Sequence, residues 1–286
     1  MDQNKFLTTQ IQEFLSAEDQ GKEHKRTSFW ATDCEKPLFD LYHSWIGTKP
    51  TNPMEAEKQT MFIAARMCEV ALVETLDKMG YLQEVKEGQQ RIEMTRMGVP
   101  ISGYLDGRFK EGWPLEVKTY YGVYQAKELR EGKPRSSYLK QLAVYMDALN
   151  EDRGKLVYMD RGTGEMHEFT LLRTGKTSFK CLAVEFDLND TYKRWNKLYM
   201  DHVIPKKEPA SEFRYKIPID QLKWETLSKS DIGKARNNKK VIGDSWQVAY
   251  SPYKNLIIER EGSCIGYSDS EIAQIKTLTS GFTTWR

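Results

Sequence analysis

The chain has too little imbalance of charge to coat a polyanion: 43 Lys and Arg stand against 41 Asp and Glu over 286 residues, a formal net charge of +2. Any contact with nucleic acid must come from local patches rather than a global field. It has no apolar run approaching the roughly 18–20 residues of a membrane span, and Met1 to Gln20 has neither the apolar core nor the flanks of a secretory signal. Four cysteines (Cys34, Cys68, Cys181 and Cys264) are scattered without a CxxC pair, and the four histidines lack metal-ligand spacing. A zinc module, a redox dithiol and a disulfide scaffold are thereby excluded, and reduced thiols in a cytoplasmic protein of a bacterium or phage-infected host are expected. Internal repeats and low-complexity tracts are also missing. With 39% hydrophobic and 29% charged residues, the composition is that of a globular chain with a substantial core.

Periodicity divides what is present. Phe29 to Gly47 reads as a cap followed by a short aromatic-rich helix ended by glycine, and Lys49 to Pro53, with two prolines, as a loop. From Glu55 to Met79, Phe62, Ala65, Leu72, Val73, Leu76 and Met79 recur at helical intervals, with Glu69 on the same face, where an acid needs a partner. Residues 91–96, 100–106 and 114–119 read as strands, the last two as a hairpin-like pair. Pro134 to Asn150 is the next helix, with Gln141 and Tyr145 one turn apart on one face. Lys155 to Asp160 and Met166 to Leu172 form a strand pair, and Asn189 to His202 a further helix. Lys223 to Lys240, with six Lys or Arg and two acids, reads as exposed and mobile. The expected organisation is an N-terminal helical segment (1–54), a core (55–204) and a C-terminal extension (205–286), with the internal boundary at Pro205 to Pro209.

The chemistry-bearing stretch is Gly103-Tyr104-Leu105-Asp106-Gly107-Arg108-Phe109, followed by Pro114-Leu115-Glu116-Val117-Lys118-Thr119. Asp106 and Glu116 end or occupy neighbouring strands, so two carboxylates converge, and the Val117 carbonyl and Glu69 can add oxygens. Such a set suits Mg²⁺, which takes hard oxygen ligands and keeps several waters. Lys118 lies two residues after Glu116 and shares its face of the strand. A metal there polarises a phosphodiester and acidifies a water, while the lysine positions that water or neutralises developing charge. Each feature has a plainer reading: Asp106 before a glycine is a common turn former, Glu69 can sit in a salt bridge, and Gln141 and Tyr145 can be a packed helix pair. The run Lys234 to Lys240 is a solvated loop or a strip that tracks phosphates. Trp30, Trp45 and the Tyr120, Tyr121, Tyr124 cluster read as core or rim packing.

The order Glu69, Asp106, Glu116-Val117-Lys118, then Gln141-Leu142-Ala143-Val144-Tyr145 resembles the PD-(D/E)XK nuclease superfamily, in its RecB-like and lambda-exonuclease-like branches. The resemblance implies an α/β fold, a restriction-endonuclease-like core in which a central mixed β-sheet is flanked by helices. It implies cleavage of single- or double-stranded DNA with Mg²⁺ or Mn²⁺, more in keeping with an exonuclease of recombination, repair or phage DNA processing than with a sequence-specific endonuclease. Gln141 and Tyr145 would line the site and contact substrate, with Lys140 and Arg135 beside them. Ala65 stands where the family's helical GxxxE pattern has glycine, which makes Glu69 the least typical ligand. Two other functions share these residues: a nuclease-fold module that binds DNA or a protein without cutting, and a structure-specific endonuclease. A recombination or replication protein is the partner expected beside DNA, with no membrane contact.

The segment Trp246-Gln247-Val248-Ala249-Tyr250-Ser251-Pro252-Tyr253-Lys254 resembles the tail of CRISPR-associated RecB-like exonucleases, which holds an iron–sulphur cluster. Val248 and Ser251 occupy thiolate positions, with Cys34 near the place of an upstream one. A single remaining thiolate cannot hold a cubane cluster. No iron–sulphur cluster is expected, and packing of Trp246, Tyr250 and Tyr253 should close the region instead.

Overall fold

The computed structural model describes residues 26–52, 54–83, 90–212, 219–221, 227–237, 250–261 and 267–280, together with Gln10, Phe14, Lys223 and Val248. The expected arm over most of residues 1–25, and Trp246 of the tail, lie outside the described residues. The chain divides into two compact units. Unit one comprises Met1–Lys36 and Glu55–Lys207, and unit two Pro37–Met54 and Glu208–Arg286. Residues 1–54 are thus shared between the two units, because strand β1 (Phe29–Trp30) is drawn into a sheet of unit one.

Unit one holds helices α1 (Ala56–Lys78), α2 (Val123–Arg130), α3 (Ser136–Leu149) and α4 (Leu188–Leu198). Its strands are β1, β2 (Gln90–Arg96), β3 (Val99–Leu105), β4 (Gly107–Arg108), β5 (Pro114–Tyr120), β6 (Arg153–Asp160), β7 (Met166–Arg173), β8 (Ser178–Cys181) and β9 (Val184–Asp187). The main sheet has six strands in the order β4-β5-β6-β7-β8-β9, and a smaller sheet runs β1-β3-β2. The main sheet is mixed: β5 and β6 are parallel, with α2 and α3 in the crossover, and the other pairs are antiparallel. A mixed α/β core with a helix-flanked sheet is therefore the architecture of unit one.

The expected hairpin of 100–106 with 114–119 does not form. β3 pairs antiparallel with β2, and the chain changes sheet at Asp106, after which β4 pairs with β5. Gly107 enables the switch, since a Cβ there would lie 3.2 Å from Leu82 Cδ1 and 3.3 Å from Leu115 Cδ2. β5 reads Leu115-Glu116-Val117 as buried on both faces, as a strand covered by helices requires. On one side Leu72, Val73 and Leu76 of α1 pack against Leu82, Leu115 and Val117. Phe62 and Met79, expected on that stripe, are instead 63% and 60% exposed. α3 buries Leu139, Leu142, Ala143, Val144 and Met146 and ends at Asn150, which takes the left-handed conformation that asparagine tolerates (φ 55°).

Unit two contains helices Leu38–Ile46, Lys229–Arg236, Lys254–Glu261 and Asp269–Leu278. Leu38–Ile46 ends at Gly47 (φ 76°), as the sequence suggests. Lys229–Arg236 corrects the expectation of an exposed segment, because Ile232 and Ala235 are 2% and 0% exposed and Ala235 joins Ile219, Tyr267 and Ile275 in a core. Residues 238–240 of the basic run lie outside the described residues. Around the tail, Phe39, Val248, Tyr253 and Ile257 form a second core. Ser251, at a position where the resemblance has a thiolate, is buried and donates to Asp40 Oδ1 (2.7 Å) while accepting from the Tyr253 amide (3.0 Å). Tyr250 is 75% exposed, so the expected aromatic closure involves Tyr253 without it. Among the described residues no helix is long and apolar enough to cross a membrane.

Candidate active site

Glu116 is the centre of the site, and the parity of β5 explains its position. Even-numbered residues of this segment turn their backbone groups to β6, whereas Val117 donates its amide to Asp106 Oδ2 (2.8 Å) on the opposite edge. A residue's N–H and C=O project to the same edge of an extended strand, so the Val117 carbonyl also faces the Asp106 side. Two residues on, the Thr119 amide supports the Glu69 carboxylate from α1. The open edge of β5 beyond the short β4 thus collects one acid from the sheet switch and one from a helix. The partners that Glu69 requires are the Lys118 charge first and the Thr119 backbone after it.

Glu116 is 1% exposed. Its Oε1 accepts from Gln141 Nε2 (2.7 Å) and is in contact with Lys118 Nζ. Its Oε2 is buried with no hydrogen-bond partner among the described residues. Burial first, and then the charge of Asp106, push the Glu116 carboxyl up to about 8 against the counter-effect of Lys118. Glu69 is raised by burial and Asp106. Lys118 moves upward because the attraction of Glu116, Asp106 and Glu69 outweighs its own desolvation, so its ammonium stays charged. Three acids and one lysine therefore share a single electrostatic field.

Gln141 and Tyr145 support Glu116 from below. Gln141 Nε2 also reaches Tyr145 Oη (3.1 Å), and that hydroxyl donates to the Tyr104 carbonyl (2.9 Å). Gly103 makes this approach possible, since a Cβ there would sit 2.6 Å from Tyr145 Cε1. At 4% and 1% exposure the two side chains are buried, and their hydrogen bonds run to Glu116 and to the Tyr104 carbonyl. Lys140 forms an ion pair with Glu35 (2.8 Å). Arg135 donates through Nε and Nη2 to Gln125 Oε1 (3.1 and 2.7 Å). Sequence reasoning missed Tyr138, whose ring lies 5.2 Å from Lys118 Nζ; its spacing of three from Gln141 is the signal that could have found it.

Among the described residues no three His, Cys, Asp or Glu side chains form a ready-made metal cluster. The donor set nevertheless fits a hard cation. Glu116 Oε2 has no hydrogen-bond partner among the described residues, Asp106 lies at the adjoining edge, and the Val117 carbonyl faces it, an all-oxygen set.

No family model and no curated protein matches this chain. Similar solved structures include SSO0001, at 14% identity over 69% of this chain and 87% of that one with a TM-score of 0.47. LHK-Exo in complex with dAMP is 15% identical over 64% and 90%, with a TM-score of 0.42. The alkaline exonuclease LHK-Exo from Laribacter hongkongensis is 14% identical over 68% and 92%, with a TM-score of 0.36. Similarity this low leaves the chemistry of the site to its own residues.

Proposed function

We propose that unit one is a divalent-metal-dependent deoxyribonuclease of the PD-(D/E)XK type, an exonuclease acting in recombination, repair or phage DNA processing. The observation that carries this reading is the unpaired Glu116 Oε2. A buried carboxylate oxygen without a donor is costly, and its cost is relieved when a cation engages it. Asp106, Glu116 and the Val117 carbonyl would hold Mg²⁺ or Mn²⁺, with Glu69 beside them. Such an ion supplies Lewis acidity to the phosphodiester and to an attacking water. Lys118, kept charged by its acidic neighbours, neutralises the negative charge that grows on the phosphate. Gln141 fixes the rotamer of Glu116, and Tyr145 fixes Gln141.

The contact of Lys118 with Glu116 Oε1 favours a second reading, a DNA- or protein-binding module without catalysis, because the lysine neutralises this acid with no ion present. The test is incubation of labelled linear and circular DNA with Mg²⁺ or Mn²⁺. Wild-type protein should degrade linear DNA, and Asp106→Ala and Lys118→Ala should each lose at least about 100-fold in rate. Cutting of circles would replace the exonuclease by an endonuclease, and DNA binding without any cutting would leave the module.

A further inference from the structure

We infer that a cavity of about 330 Å³ beside Lys118 holds one nucleoside monophosphate unit, its phosphate on Gln125 and Arg161 and its base against Tyr121 and Tyr124. The unit is either part of a DNA strand or a freed product. Its place next to the chemistry rests on the nuclease reading, but the binding it predicts does not. The cavity opens at the end of β5, where Thr119 and Tyr120 line it, and Tyr138 forms a wall common to the cavity and to Lys118.

The unmatched groups of this cavity are all donors. Gln125 is 8% exposed, and Arg135 cannot accept a hydrogen bond, so its two N–H groups fix Oε1 as the atom facing it. The Gln125 amide is thereby held in one orientation, and its Nε2 is left without an acceptor. Arg161 is anchored through Nη1 to the Met61 carbonyl (3.2 Å), while its buried Nε also lacks a partner. No carboxylate lines the cavity. Glu69 offsets part of the Arg161 charge from outside the lining, but the oriented donors meet no acceptor in the cavity and select an acceptor-rich anion, and phosphate has that character.

The rim demands more than phosphate. Tyr121 and Tyr124 are each 74% exposed, and both line the cavity, whereas Tyr120 of the same cluster is core at 5%. Exposed rings at the mouth of an anion site are platforms on which a base stacks. A site for inorganic phosphate has no use for the rings, and a site for an uncharged nucleoside has none for the donors. The volume lies in the range of small-ligand sites, roughly 300–1,000 Å³.

The test uses the full chain in EDTA, so that binding is read without turnover. Calorimetry with thymidine 5′-monophosphate should give saturable binding at least tenfold tighter than with thymidine or inorganic phosphate. Gln125→Glu keeps the acceptor that holds Arg135 but puts a carboxylate oxygen in place of the unmatched donor. It should weaken the monophosphate at least tenfold and leave thymidine unchanged. Tyr124→Ala should weaken the monophosphate about fivefold or more. Displacement of a labelled oligothymidylate by the monophosphate identifies a unit in the strand, and independent binding of the two identifies the freed product. No saturable binding to wild type, or an unchanged affinity in Gln125→Glu, overturns the inference even if DNA is cut. Wild-type binding without DNA cleavage removes the nuclease reading and leaves the cavity's assignment standing.

Discussion

Replacing Glu116 by glutamine should stabilise the metal-free protein while destroying its activity. The folded-state carboxyl titrates at about 8 against an ordinary 4.5. Because the folded value is the higher, the native state binds more protons than the unfolded state between those values, and stability falls as pH rises through that window. At 1.36 kcal/mol per pH unit the displacement corresponds to on the order of 5 kcal/mol withheld above pH 8. Lys118 returns part of this by remaining charged against the carboxylate. A net gain of about 1–3 kcal/mol is therefore expected for Glu116→Gln at pH 9. The variant keeps an Oε1 to accept from Gln141 and carries no charge at the orphaned position. Urea unfolding in EDTA at pH 5 and pH 9 measures the effect: the two proteins should differ little at pH 5, with the gain appearing at pH 9. Mg²⁺ should reverse the order by stabilising only the wild type, by about 2.7 kcal/mol at a hundredfold excess over its dissociation constant. A glutamine variant less stable than wild type at pH 9 would refute the reasoning, because Glu116 would then be a stabilising member of an ion pair rather than a strained one.

Two further substitutions address the support of the site. Gly103→Ala places a methyl 2.6 Å from Tyr145 Cε1, and should cost about 1–3 kcal/mol in urea unfolding and at least tenfold in DNA cleavage; a neutral result would show that Tyr145 does not need its close approach to β3. Gln141→Leu removes the donor to Glu116 Oε1 and the link to Tyr145. It should cost about 1–3 kcal/mol in stability and lower the apparent affinity for Mg²⁺ in a titration of cleavage rate, and an unchanged Mg²⁺ midpoint would argue against a positioning role.

Much of the architecture was legible because it is written in short-range patterns. The helix expected over 55–79 is α1, the alternation of 91–96 is β2, and the capped aromatic segment ends at Gly47 as a helix should. α2 and the β8–β9 hairpin carry weaker periodicity and went unforeseen. The ordering of Glu69, Asp106, Glu116 and Lys118 was likewise visible along the chain, since residues two apart on a strand must share a face. Choice of strand partner was not, because the switch of sheets at Asp106 depends on pairing with β2 and on the space left by Gly107.

The linear order of acidic, basic and amide residues thus defined which groups are candidates, for local geometry alone decides which side chains share a face. Only the folded chain decided that Glu116 Oε2 would lie buried without a donor, that Gln141 and Tyr145 would stand beneath it, and that Lys140 would pair with Glu35. Burial and partner choice come from contacts between residues far apart in sequence, such as Gln141 with Glu116 and Tyr145 with Tyr104. The energy of an unpaired carboxylate oxygen exists only once those contacts have excluded water.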